Sequence, residues 1–149
     1  MKLKTKLKSK YFLIASIIVF AISLLLPLYI NLNESLDKLI NYGEIYGYQA
    51  LLLGWMTFPY IDFFCWLANF TLLISWVFYR KQFANYLVSA GTVLAFLFGI
   101  NHVTQLDFME VHDYELNLFG YWFWIIAMLL QIVATKLYQK EKIILLNEE

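Results

Sequence analysis

The residues best equipped for chemistry cluster in one stretch, NHVTQLDFMEVHDYELN, which holds both histidines of the chain. His102 and His112, with Asp107 or Glu110 as a third ligand or general base, are the imidazole and carboxylate groups that a zinc-like divalent ion takes. Asp113 and Glu115 add acceptors, and Glu44 and Asp62 fall on the same side of the chain in the topology argued below. The spacing matches no metal motif: there is no HExxH, no histidine pair at i and i+4, and the single cysteine, Cys65, lies elsewhere. The weight falls on a solvated acidic loop, with a divalent-metal or catalytic site as the alternative, and no other cofactor is expected. A GxSxG elbow and a phosphate-binding glycine loop are both missing from the sequence, so serine hydrolysis and nucleotide hydrolysis lack their parts.

The elements that must position this loop are set by composition. Of 149 residues 62% are apolar and 15% charged, with 11 basic residues balancing 11 acidic ones. A soluble domain would be about 45–50% apolar and about 25% charged, so the lipid bilayer is the expected surrounding and nucleic acid is not an expected partner. Four stretches without charge in their interiors reach the roughly 20 residues that cross a bilayer core: 11–30, 59–79, 83–101 and 118–138. The fold class expected is all-α membrane, a four-transmembrane-helix antiparallel bundle. Residues 31–58 would form a partly helical extracytoplasmic cap and 102–117 the acidic outer loop, all within a single membrane domain 1–149. The basic N-terminal run resembles the start of a signal peptide, but the apolar run is long and no small-x-small cleavage site follows, which predicts a retained anchor.

Basic residues near helix ends stay cytoplasmic. With four crossings, ten of them share one side with three acids, a charge of plus seven; Lys38 and eight acids share the other, a charge of minus seven. Neutrality is therefore a cancellation between faces, and both termini are placed in the cytoplasm of a bacterial cytoplasmic (inner) membrane. Within the cap, Asn33 or Ser35 would start a short amphipathic turn, and QALLLGW is too short to span and would lie at the outer interface. Pro59 would occupy the first turn of the second helix.

Lipid gives helices no hydrophobic reason to associate, so small residues and hydrogen bonds must hold them together. Gly91, Ala95 and Gly99 form a small-residue seam, read as an intramolecular packing face. Gly120, Trp124, Ala127, Gln131, Ala134 and Tyr138 share one side of the last helix, and depth puts Gln131 level with Ser75 and Ser16. A second polar layer would hold Asn69, Thr92 and Ser23. Hydrogen-bond glue is favoured over a solute pathway, because no charged residue lies deep within a predicted span. The aromatic residues at both ends suit interface anchoring, with a lipid or quinone pocket as the lesser reading.

The stretch from Gly54-Trp55 to Trp66, Ala68 and Asn69 resembles a pattern in small uncharacterised bacterial four-helix membrane proteins. The resemblance implies the fold and no activity, and Phe70 stands where such proteins often carry proline. The function expected is non-enzymatic binding of a membrane protein partner, of assembly, accessory or immunity type; the outer metal site is the alternative, and small-solute transport the third.

Overall fold

The computed structural model describes residues 3–31, 45–104, 114–116 and 118–146. The chain is mostly helical. Helix α1 (Leu3–Leu25) leads into strand β1 (Pro27–Asn31); strand β2 (Ile45–Tyr46) and helix α2 (Gly47–Leu53) follow, and a single 3-10 turn (Gly54–Thr57) precedes α3 (Ile61–Val77). Helix α4 (Gln82–Thr104), strand β3 (Tyr114–Leu116) and helix α5 (Leu118–Leu146) complete the order. Three helices, α1, α4 and α5, are long and apolar enough to cross a membrane, and α3 is a shorter apolar helix of 17 residues. Length and composition thus make this a multi-pass membrane protein.

Several boundaries differ from those read from hydropathy. The first helix ends at Leu25 rather than residue 30, because Pro27 has no N–H to donate and pushes the residue before it out of the helical region. It begins at Leu3 and α5 runs on to Leu146, because lysine, leucine and glutamate are good helix formers outside the membrane as well as in it. Pro59 lies outside the first turn of α3, in the bend between the 3-10 turn and Tyr60, the residue that caps the helix. Phe70 leaves α3 unbroken.

One small three-stranded sheet accompanies the helices among the described residues. Its order is β2-β1-β3, with both pairings antiparallel. The sequence after Pro27, Leu-Tyr-Ile, suits a strand, and the sheet ties the end of α1 to the starts of α2 and α5.

The helices pack in neighbouring pairs: α1 lies along α5, α3 along α4, and α4 also along α5. Ser9 of α1 donates to the Glu141 carboxylate of α5 at 3.0 Å, whereas at the opposite end Gly120 of α5 sits against the Pro27 carbonyl, so these two helices run antiparallel. The turn 78–81 closes with a 2.8 Å hydrogen bond from the Lys81 N–H to the Phe78 carbonyl and sends α4 back along α3. Leu72, Val88, Ala95, Ile125 and Met128 fill the interior, while Ile14, Ile18, Val93, Leu97 and Leu129 face outward. Large apolar side chains on the outside, around an interior that also buries Ser16, Ser75, Gln131 and Thr135, suit a lipid surrounding.

The seam residues of α4 meet other helices of the same chain. A Cβ on Gly91 would run into the Thr71 hydroxyl of α3, and one on Gly99 into the Tyr121 hydroxyl of α5. That Tyr121 hydroxyl donates to the Ala95 carbonyl at 3.1 Å. On α5, Gly120, Trp124, Ala127, Gln131 and Ala134 are all buried, and Tyr138 half-buried.

Candidate functional site

One interhelical polar layer lies at the level of Ser16, Ser75 and Gln131. Ser16 of α1 donates to the Ala127 carbonyl of α5 at 2.7 Å and accepts from the Trp76 indole of α3 at 3.0 Å. Gln131 of α5 donates to the Ser75 backbone carbonyl at 2.9 Å. That carbonyl belongs to the last turn of α3, where the helix itself supplies no donor, so Gln131 completes the helix end from outside. The second layer read from depth does not bridge helices. Ser23, Asn69 and Thr92 donate to the carbonyls of Phe20, Trp66 and Val88, each within its own helix. Residues three or four positions back are always within reach of such side chains, and they win the bond here.

Beyond this layer, towards the end that carries Asp62, a partly open cavity of about 230 Å³ lies between α1 and α3. Phe20 and Leu24 of α1, Trp66 of α3, Phe98 of α4 and Trp124 of α5 form its mostly apolar walls. Phe20 also meets Trp76 edge-on with ring centres 5.4 Å apart, which joins α1 to α3 beneath the cavity.

Helix α2 and the 3-10 turn form the roof. The Gly47 N–H donates to the Leu26 carbonyl at 3.0 Å, and the Trp66 indole donates to the Leu51 carbonyl at 2.8 Å, so the roof is pinned to α1 and to α3. Two glycines permit this seating. A Cβ on Gly47 would strike the Ser23 carbonyl and the Leu24 backbone, and one on Gly54 the Trp66 ring. The Gln49 side chain accepts from the Tyr46 N–H at 2.9 Å and secures the first turn of α2.

Polar groups are few along this wall. Asp62 is half-buried in the first turn of α3, where its charge complements the helix dipole, and Asn101 of α4 donates to it at 3.5 Å. Asn69 borders the cavity a further two turns into the membrane. Trp124 is only 8% exposed, and its indole N–H finds no acceptor among the described residues. Walls of this kind suit an apolar molecule.

His102 lies in the last turn of α4, while Asp107, Glu110 and His112 lie outside the described residues, as do Glu44, Asn33 and Ser35. No group of three or more histidine, cysteine, aspartate or glutamate residues comes together among the described residues. Trp66 and Trp124 border the cavity, Trp124 from the side of α5 expected to face protein. A usable signal was the sequence pattern itself, since Gly54 and Trp66 meet face to face and Asn69 borders the same space.

Helices of membrane length around a roofed apolar cavity define a multi-pass membrane protein with an internal pocket. Comparison with protein-family models, with curated proteins and with solved structures gave no match to this chain.

Proposed function

We propose that the chain forms a four-span bundle in a bacterial-type cytoplasmic membrane with both termini in the cytoplasm. In this reading it is a non-enzymatic binding protein of assembly or accessory type, which receives its ligand or partner at the Asp62 end. The cavity under α2 is the observation that carries the binding role: it is concave, mostly apolar and bordered by a few convergent polar groups, the form that ligand sites take.

The orientation is supported by the grouping of exposed charge. Lys8 and Lys10 flank the Ser9 contact to Glu141, and Arg80 and Lys81 form the turn whose Arg80 carbonyl accepts from Gln139 at 3.1 Å. Lys136, Lys140 and Lys142 sit on the same closing segment of α5, so these exposed cations share one end. A hydrogen bond to the Tyr79 hydroxyl raises the Arg80 pKa still further, so the turn keeps its charge at any physiological pH. Asp62 is at the other end. Helix α3 then crosses too, because it runs beside α4 from that end to the basic turn.

Two measurements test the proposal. Cysteines replacing Lys81 and Tyr48 should react with a membrane-impermeant maleimide from opposite sides, Lys81→Cys only after the membrane is opened. Capture of the full chain from native membranes in mild detergent should bring down a defined lipid or membrane protein. Recovery of the chain alone, with bulk membrane lipid, would count against the binding role.

A further inference from the structure

The outward face of α5 changes character along its length. Ile126, Leu129 and Val133, then Lys136 and Lys140, are all exposed and recur every three or four residues, so they form one stripe turned away from the bundle. The buried residues Trp124, Ala127, Gln131 and Ala134 hold the opposite side. At 1.5 Å per residue, Lys136 lies about 27 Å along the helix from Leu118, against a hydrocarbon core of about 30 Å. With Leu118 at one boundary of the core, Lys136 stands at the other, beside the lipid headgroups, and Lys140 lies one turn further out.

Two lysines four apart on a helix have Cβ atoms about 6 Å from one another, so both ammonium groups can reach one phosphate. The acid nearest in sequence, Glu141, is buried on the side of α1, where it accepts from Ser9. Asp62 and Glu115, the other acids among the described residues, are at the opposite end of the bundle. Exposed Lys8, Lys10, Arg80, Lys81 and Lys142 add to the positive field at the Lys136 end. We propose that this stripe is a binding site for an anionic phospholipid, its phosphate held between Lys136 and Lys140 and an acyl chain lying along Val133, Leu129 and Ile126. A zwitterionic lipid offers the same phosphate but brings its own cation, so the surplus charge of the stripe selects a headgroup of net negative charge. Such a site needs only that α5 crosses the bilayer; it is independent of the cavity and of the side on which the termini lie.

Native mass spectrometry of the full chain in mild detergent, titrated with dioleoylphosphatidylglycerol or dioleoylphosphatidylcholine, compares two lipids with identical chains. The anionic lipid should bind saturably and about tenfold more tightly, and inorganic phosphate should not displace it. Lys136→Gln combined with Lys140→Gln should remove that preference, at about fivefold for each lysine, whereas Lys136→Arg combined with Lys140→Arg should keep it. Lys81→Gln combined with Lys142→Gln takes the same charge from the same end but away from the stripe, and should cost less than about threefold. Equal binding of the two lipids, or displacement by inorganic phosphate, would overturn the proposal. Equal losses in the two glutamine pairs would also overturn it, by replacing a site with a diffuse field. Glutamine is a good helix former and both lysines are exposed, so circular dichroism should show an unchanged fold. Should the stripe pair fail to fold, the lipid and phosphate comparisons on the unaltered chain decide.

Discussion

Ser16 ties three helices together through one hydroxyl, which serves α5 as a donor and α3 as an acceptor. Ser16→Ala removes both bonds and strands the Trp76 indole N–H in an apolar interior, a loss of about 1–2 kcal/mol. Trp76→Phe in the same background removes the stranded donor, so the double variant should lose less than the two single losses added together. Unfolding in mixed micelles of the four proteins measures the coupling, and strict additivity would show that the bond carries no stability. Depth arithmetic brings Ser16, Ser75 and Gln131 to one level because helical rise is uniform. It cannot say which atom is used. Gln131 takes a backbone carbonyl of Ser75 because α3 ends two residues later, and Ser23, Asn69 and Thr92 turn back on their own helices. Those choices depend on helix ends and local geometry, which hydropathy does not encode.

The element that matters most to the cavity is α2, seven residues long and with no buried side chain. So short a helix has little stability of its own, and its place depends on the bonds to Leu26 and Trp66 and on close approach at Gly47. Gly47→Ala places a methyl group against the Ser23 carbonyl and the Leu24 backbone, which have no rotamer in which to escape. The expected outcome is local: faster amide exchange across Gly47–Leu53, with exchange in the centre of α4 unchanged. Slow exchange throughout the variant would show that the roof is held by other contacts. The sequence QALLLGW was legible as too short to span, and the small sheet was not. β1 pairs with β3 across more than eighty positions of chain, and two- or three-residue partners leave no periodic trace.

At the scale of the whole molecule, exposed cations collect at the Arg80 end while the cavity and its roof lie at the other. The grouping of cations at one end is the one expected from the basic residues of the sequence, because lysine and arginine mark the same flanks that hydropathy marks as helix ends. The acidic loop, in contrast, keeps only His102 among its four named metal ligands within the described residues. The lengths of the helices carry a further consequence. At 1.5 Å per residue, the 17 residues of α3 measure about 25 Å and the 29 of α5 about 43 Å, against a hydrocarbon core of about 30 Å. If α3 crosses as proposed, α5 can project beyond the core into water but α3 cannot lengthen, and thinning of the bilayer beside it by about 5 Å would meet the shortfall. In that four-span reading the protein favours thin membranes on one flank only. Reconstituted into a series of lipids with increasing acyl length, it should melt highest in the shorter members and progressively lower in the longer ones. A melting temperature independent of thickness would mean that α3 is not in contact with the acyl chains. In a membrane of uneven thickness the same shortfall acts as an address, drawing the chain to thin regions and to neighbours whose own helices are equally short.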